Sequence, residues 1–132
     1  MSDDLTSVDP KMLEILRARQ KGKTLPKPFA REVFILKTYV AGTQYYEAKK
    51  LEGNIKKGDY LIFRREASNP YDEKAIEILD LNMNKFGYVP EHKNEIISNL
   101  MDAGKTIYGI IEKKELSGDY LKLEIKVFFK DY

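Results

Sequence analysis

The chain has 132 residues, 42% hydrophobic and 33% charged, with a formal net charge of +2. A chain this long can bury about two-thirds of its unfolded surface, so one folded domain with an extension is expected. Without cysteine there is no disulfide framework, thiol nucleophile or cysteine-based metal site, and no apolar run approaches the ~20 residues of a membrane-spanning helix.

The charge is unevenly distributed. Residues 1–30 carry six Lys/Arg against four Asp/Glu, whereas residues 31–132 carry seventeen of each. Proteins that coat duplex DNA by neutralising phosphates usually show a clear basic excess. A nucleic-acid site on this domain would therefore be local. The acidic start Met-Ser-Asp-Asp lacks the apolar stretch of a signal peptide, so a cytoplasmic location is expected.

Residues 1–8 are polar. Asp9-Pro10 reads as an N-cap and first helical residue. Met12, Leu13 and Leu16 form a narrow apolar stripe, and Gly22 fits a C-cap, so a short basic helix is expected over roughly 10–21. That stripe is too small for a core of its own. Leu25-Pro26-Lys27-Pro28 reads as an extended linker.

The folded module starts near Arg31, and Val33–Val40 reads as a central strand. Tyr45-Tyr46 and a charged loop through Lys50 follow, then a turn from Asn54 to Asp59 and a strand Tyr60–Arg65. Asn69-Pro70 marks a turn, Ala75–Leu79 a half-exposed strand, Asn82–Asn84 a hairpin loop and Lys85–Val89 its return strand. Pro90 is placed to open a helix whose stripe is Ile96, Ile97, Leu100 and Met101, with Gly104 closing it. Thr106–Glu112 is a further strand and Leu116–Asp119 a turn. In the last strand Leu121, Leu123, Ile125 and Val127 alternate with Lys122, Glu124 and Lys126. About six strands with a single late helix indicate a mainly β domain, either a small barrel or a strongly curled sheet.

Several motifs occur in a telling order: Val40-Ala41-Gly42-Thr43-Gln44-Tyr45-Tyr46, Arg64-Arg65, Asn69-Pro70-Tyr71-Asp72, Ala75-Ile76, Gly87-Tyr88-Val89-Pro90 and Met101-Asp102-Ala103-Gly104. Over about residues 31–130 this resembles the HIRAN domain. That module is found at the N-terminus of some fork-remodelling Snf2-type helicases and as a free-standing bacterial protein. The resemblance implies an OB-like β-barrel with one helix packed on it, preceded by an N-terminal helical extension over residues 1–30. In the helicase members the domain grips the 3′ end of single-stranded DNA, and a role in DNA repair or processing follows. A helicase or nuclease supplied by another chain is the protein partner it implies.

The resemblance also assigns site residues. Tyr45 and Tyr46 would lie against the terminal nucleotides, and Tyr71 would stack on the end base; base–aromatic stacking contributes ~1–3 kcal/mol per base. Asp72 would accept a hydrogen bond from the free 3′-hydroxyl. Tyr88 stands where the helicase relatives have His and would border the same pocket. Asn69, Gln44, Arg65 and Lys93 complete the candidate DNA-binding set. Gln44 stands where the DNA-binding relatives carry Arg, and Glu91 where they carry Lys. Each departure removes a phosphate-facing cation, which implies a flatter salt dependence.

Plainer roles fit the same residues. One tyrosine of the 45–46 pair can be core while the other covers its rim, and Asn69 and Asp72 can satisfy local backbone amides in an Asx-type turn. Tyr88 can pack at the strand–helix junction. Arg64 and Arg65 alternate faces, so at most one can serve a pocket. His92 reads as a solvated residue of the first helical turn. No nucleotide-binding, metalloprotease or paired metal spacing occurs, so neither catalysis, a cofactor, a metal nor a small-molecule substrate is expected. The other functional class is a protein-interaction or targeting module, with the basic N-terminal helix docking on a partner. The neutral charge of residues 31–132 favours it.

Overall fold

The computed structural model describes residues 10–20 and 31–131. In chain order its elements are α1 (Pro10–Gln20), β1 (Arg31–Tyr39), β2 (Tyr60–Arg65), β3 (Ile76–Leu79), β4 (Lys85–Tyr88), α2 (Asn94–Asp102), β5 (Thr106–Ser117) and β6 (Tyr120–Asp131). The Asp9 and Gly22 caps and the proline linker lie outside the described residues.

The six strands form one antiparallel sheet in the order β1-β6-β5-β2-β3-β4. It curls until the end of β1 meets β4, where Ala41 and Tyr88 exchange backbone hydrogen bonds of 2.8 and 2.9 Å. This makes an OB-like half-barrel. The closure depends on glycine at 87, because a Cβ there would lie 2.2 Å from the Ala41 carbonyl oxygen and 2.8 Å from Val40 Cγ1.

Alternation explains the layers. Leu61 and Phe63 of β2, Ile76 and Ile78 of β3, Ile107 and Ile111 of β5, and Leu121, Leu123, Ile125 and Val127 of β6 point into the barrel with Val40, Phe86 and Val89. The intervening Ile62, Leu79 and Tyr108 point outward into a second apolar cluster with Leu81. Helix α1 covers that outer cluster by burying Met12 and Leu16, with Leu13 and Ile15 half-buried beside them. Arg17 donates to the Leu81 carbonyl from Nε (3.1 Å) and Nη2 (2.6 Å), and Gln20 Oε1 accepts from the Tyr60 amide at 2.6 Å. The apolar stripe of the helix is thus satisfied within its own chain.

Five sequence expectations are corrected. β3 is buried along its whole length, Glu77 included, rather than half-exposed. β1 lies at one end of the strand order rather than in the centre, and its Phe34 and Tyr39 are exposed. Apolar composition reports burial of a strand's faces, and says nothing of whether both its edges are paired. Helix α2 begins at Asn94, since Glu91–Lys93 form a separate 3₁₀ turn after Pro90. Ile96 is exposed while Ile97 is fully buried, so the stripe of α2 is narrower than its sequence pattern. β5 continues to Ser117 because its cross-strand pairs with β6 extend along a long two-stranded ribbon to the tight turn at Gly118.

Candidate functional site

At one end of the half-barrel, the loop between β2 and β3, the end of β4 and the segment after β1 surround an open cleft of about 620 Å³. Five of the predicted site residues line it: Tyr46, Asn69, Tyr71, Asp72 and Tyr88. The other four do not. Gln44 and Tyr45 point to solvent. Arg65 donates to Asp102 (3.0 and 3.3 Å) and to the Ala75 carbonyl (3.0 Å), tying β2 to the end of α2. Lys93 lines a separate shallow hollow with Leu36 and Ile96. Arg64 is likewise occupied, holding the buried Glu77 at 2.9 Å rather than standing as a solvated strand charge.

Local chemistry fixes the loop. Asn69 Oδ1 accepts from the amides of Tyr71 (2.8 Å) and Asp72 (3.0 Å), closing the expected Asx-type turn. Its Nδ2 donates to Glu66 Oε1 at 2.7 Å. Asp72 Oδ1 accepts from the Lys74 amide at 2.9 Å, and Oδ2 accepts from Asn94 Nδ2 at 2.8 Å. The consequence is a loop braced by hydrogen bonds that leaves Tyr71 93% exposed. A carboxylate has about four acceptor positions, so Asp72 keeps capacity for a further donor.

The tyrosine pair divides. Gly42 adopts a left-handed conformation (φ 81°) and leads into a 3₁₀ turn at Thr43–Tyr45, pinned to β6 by the Thr43 hydroxyl donating to the Leu121 carbonyl at 2.6 Å. That turn leaves Tyr45 in solvent and sets Tyr46 edge-on to Tyr88, with ring centroids 5.8 Å apart.

Beneath these rings lies a polar network that the sequence motifs did not single out. Lys85 Nζ sits 4.4 Å from the Tyr46 ring centroid and 4.3 Å from that of Tyr88, donates to the Tyr88 hydroxyl at 2.7 Å and pairs with Glu77 at 3.2 Å. The Tyr88 hydroxyl in turn donates to Glu66 Oε1 at 2.5 Å. Burial and the Glu66 hydrogen bond push the Tyr88 phenol up to about 12, against the opposing charge of Lys85. Burial disfavours the Glu66 anion, yet the hydrogen bonds from Tyr88 and Asn69 and the charges of Lys85 and Arg64 hold its carboxyl below the usual range. Burial likewise disfavours the Lys85 cation, but Tyr88 and Glu77 outweigh it and keep the amine above its usual value. No sequence signal marked Glu77: alternation reads strand 75–79 as half-exposed, and only its burial in the fold shows that this carboxylate needs a partner.

The cleft therefore presents two aromatic walls, one projecting tyrosine and two acidic side chains, Glu66 and Asp72, with no lysine or arginine in its lining. Among the described residues no three His, Cys, Asp or Glu converge as metal ligands, and no helix is long and apolar enough to cross a membrane.

A curled six-stranded antiparallel half-barrel of this kind is OB-like, here with an aromatic cleft at one end. The chain belongs to the HIRAN domain family, whose model matches residues 33–130. It is 30% identical over 67 residues to the helicase-like transcription factor of Oryctolagus cuniculus, a match covering 51% of this chain and 6% of that protein. A Lactobacillus plantarum protein of known crystal structure superposes with a TM-score of 0.71 at 25% identity, covering 77% of this chain and 98% of that one. The HIRAN domain of human HLTF gives 0.61 at 20% identity in its crystal structure, covering 75% of this chain and 78% of that one. Its DNA-bound conformation, determined by NMR, gives 0.55 at 20% identity, covering 79% and 84%. The two human structures show a shared fold.

Proposed function

We propose that this chain is a nucleic-acid-binding module that holds the 3′-hydroxyl end of single-stranded DNA, in DNA repair or processing. The observation that carries the reading is the braced 66–75 loop. It projects Tyr71 into solvent next to a carboxylate with acceptor capacity to spare. A free aromatic ring held on a braced backbone loses little conformational entropy when a base stacks on it. Asp72 accepts the terminal hydroxyl; an internal nucleotide offers a phosphodiester at that place and is repelled. Tyr46 and Tyr88 supply the wall against which the end nucleotide rests. The DNA-bound form of the human HLTF domain supports the polymer class. The apolar stripe of α1 packs on its own barrel, so an outside partner is not needed to cover it.

Fluorescence anisotropy with a labelled oligonucleotide ending in a 3′-hydroxyl, against the same oligonucleotide ending in a 3′-phosphate, tests this. A preference of tenfold or more for the hydroxyl (about 1.4 kcal/mol), abolished in Asp72→Ala, is the expected result. Equal affinity for the two ends in the native protein overturns the assignment.

A further inference from the structure

A second surface of the half-barrel has the opposite electrical character. The lining of a hollow of about 730 Å³ includes Lys37 of β1, Lys56 and Lys57 of the loop before β2, and Lys113 and Lys114 of β5, against two carboxylates, Glu112 and Glu124, and the apolar side chain of Ile55. Residues 31–132 carry seventeen charges of each sign, so this concentration of lysine is a segregation of charge, not a reflection of composition.

The strand geometry creates the cluster. Lys37 and Lys126 are directly opposed on β1 and β6, and like charges so placed are destabilising. Glu112 bridges them, at 3.4 and 3.5 Å. It can do so because it is the extra residue where the β5–β6 register shifts between Ile111 and Lys113. Such bulges re-aim side chains at functional edges. Lys114 is held by Glu52 at 2.9 Å, whereas Lys56, Lys57 and Lys113 are exposed and have no side-chain partner among the described residues.

We infer that this lysine surface is a second nucleic-acid contact, binding the phosphodiester backbone of single-stranded DNA without regard to its ends. It shares no lining residue with the cleft and supplies the phosphate-facing cations that the cleft lacks. The choice of DNA over an acidic protein rests on the reading of the cleft; the lysine surface itself does not.

Closed circular single-stranded DNA, which has no 3′ end, isolates this surface from the cleft. The native 132-residue chain should bind it, and the variant Lys56→Gln/Lys57→Gln/Lys113→Gln should bind it less. Three phosphate contacts on a single strand contribute a log–log salt slope of about −2, or about a 20-fold loss of affinity between 50 and 200 mM salt. The variant should lack that component while keeping its hydroxyl-over-phosphate preference on linear DNA and its native circular dichroism. Binding of the circle by native and variant proteins with the same affinity and slope overturns the inference. So does absence of circle binding in the native protein, with lysine-dependent binding of polyglutamate then marking an acidic protein as the partner. Loss of end preference with circle binding intact refutes only the cleft.

Discussion

Lys85→Met is the substitution that tests most directly how the cleft is held together. Methionine keeps most of the volume and removes the cation between Tyr46 and Tyr88. Removing one partner of a buried ion pair costs about 3–5 kcal/mol. Here Glu77 retains Arg64 at 2.9 Å, so that term is reduced. Two partly desolvated cation–π contacts contribute about 0.5–1 kcal/mol each, and the hydrogen bond to Tyr88 is lost as well. A total destabilisation of about 2–3 kcal/mol follows from these terms. For a domain of about 100 residues that lowers Tm by roughly 10–20 °C. Urea denaturation of the native protein, Lys85→Met, Glu77→Gln and the double variant gives the coupling directly. The coupling should be at least about 1 kcal/mol, with the double variant more stable than the sum of the singles, because the stranded carboxylate is gone. A Lys85→Met variant within about 0.5 kcal/mol of the native protein would show that the network does not brace the rings.

The Tyr88 phenol should ionise only at strongly alkaline pH. In an alkaline absorbance titration the component near 12 should vanish in Tyr88→Phe. Because this pKa is raised in the folded state, its contribution to stability is complete below the model-compound value of 10.0 and is lost as pH rises through about 12. Glu66 behaves in the opposite sense: its pKa is depressed below 4.5, so its contribution is present above that value and lost as pH falls through the folded pKa. Glu66→Gln should therefore flatten the acid limb of the stability profile, measured as the urea midpoint against pH. Gly87→Ala places a Cβ against the Ala41 carbonyl and should cost roughly 3 kcal/mol or prevent folding, an overpacking effect visible as loss of amide-exchange protection at Ala41 and Tyr88.

Strands with period-two alternation, such as 121–127, could be read from the chain because a single face meets the core and the pattern reports it without ambiguity. The same logic misplaced β1, whose apolar residues are shared between a half-buried face and solvent. It also overextended α2, because Pro90 is compatible with either a 3₁₀ turn or a helix start and only tertiary packing decides between them. In the site, Asn69-Pro70-Tyr71-Asp72 was readable since an Asx turn is a local device. Lys85, Glu77 and Asn94 were not. Their roles arise from contacts across β2, β3, β4 and α2, and a charged residue in a strand looks the same in sequence whether it faces water or two aromatic rings. The pairing of Arg65 was hidden for the same reason: a free cation and one committed to Asp102 carry the same letter.

Two carboxylates in a cleft whose lining holds no lysine or arginine make a poor general site for nucleic acid, and on the proposed reading that is how an end is selected. A phosphate held roughly 5 Å from Asp72 meets a repulsion of about 3 kcal/mol at an effective dielectric of 20, less where salt screens it. A hydroxyl at the same place is a donor and meets none. Repulsion adds no affinity of its own, so beyond the hydrogen bond that Asp72 accepts from the terminal hydroxyl, attraction has to come from stacking on Tyr71 and Tyr46 and from charge elsewhere on the domain. The lysine surface fills that role, and because it shares no residue with the cleft, the two effects should be independent. Asp72→Ala combined with the triple lysine variant should therefore lose binding energy for linear 3′-hydroxyl DNA equal to the sum of the separate losses, within about 0.5 kcal/mol. A combined loss clearly smaller than that sum would mean that cleft and lysines act as one site, and the division between selecting the end and holding the strand would fail.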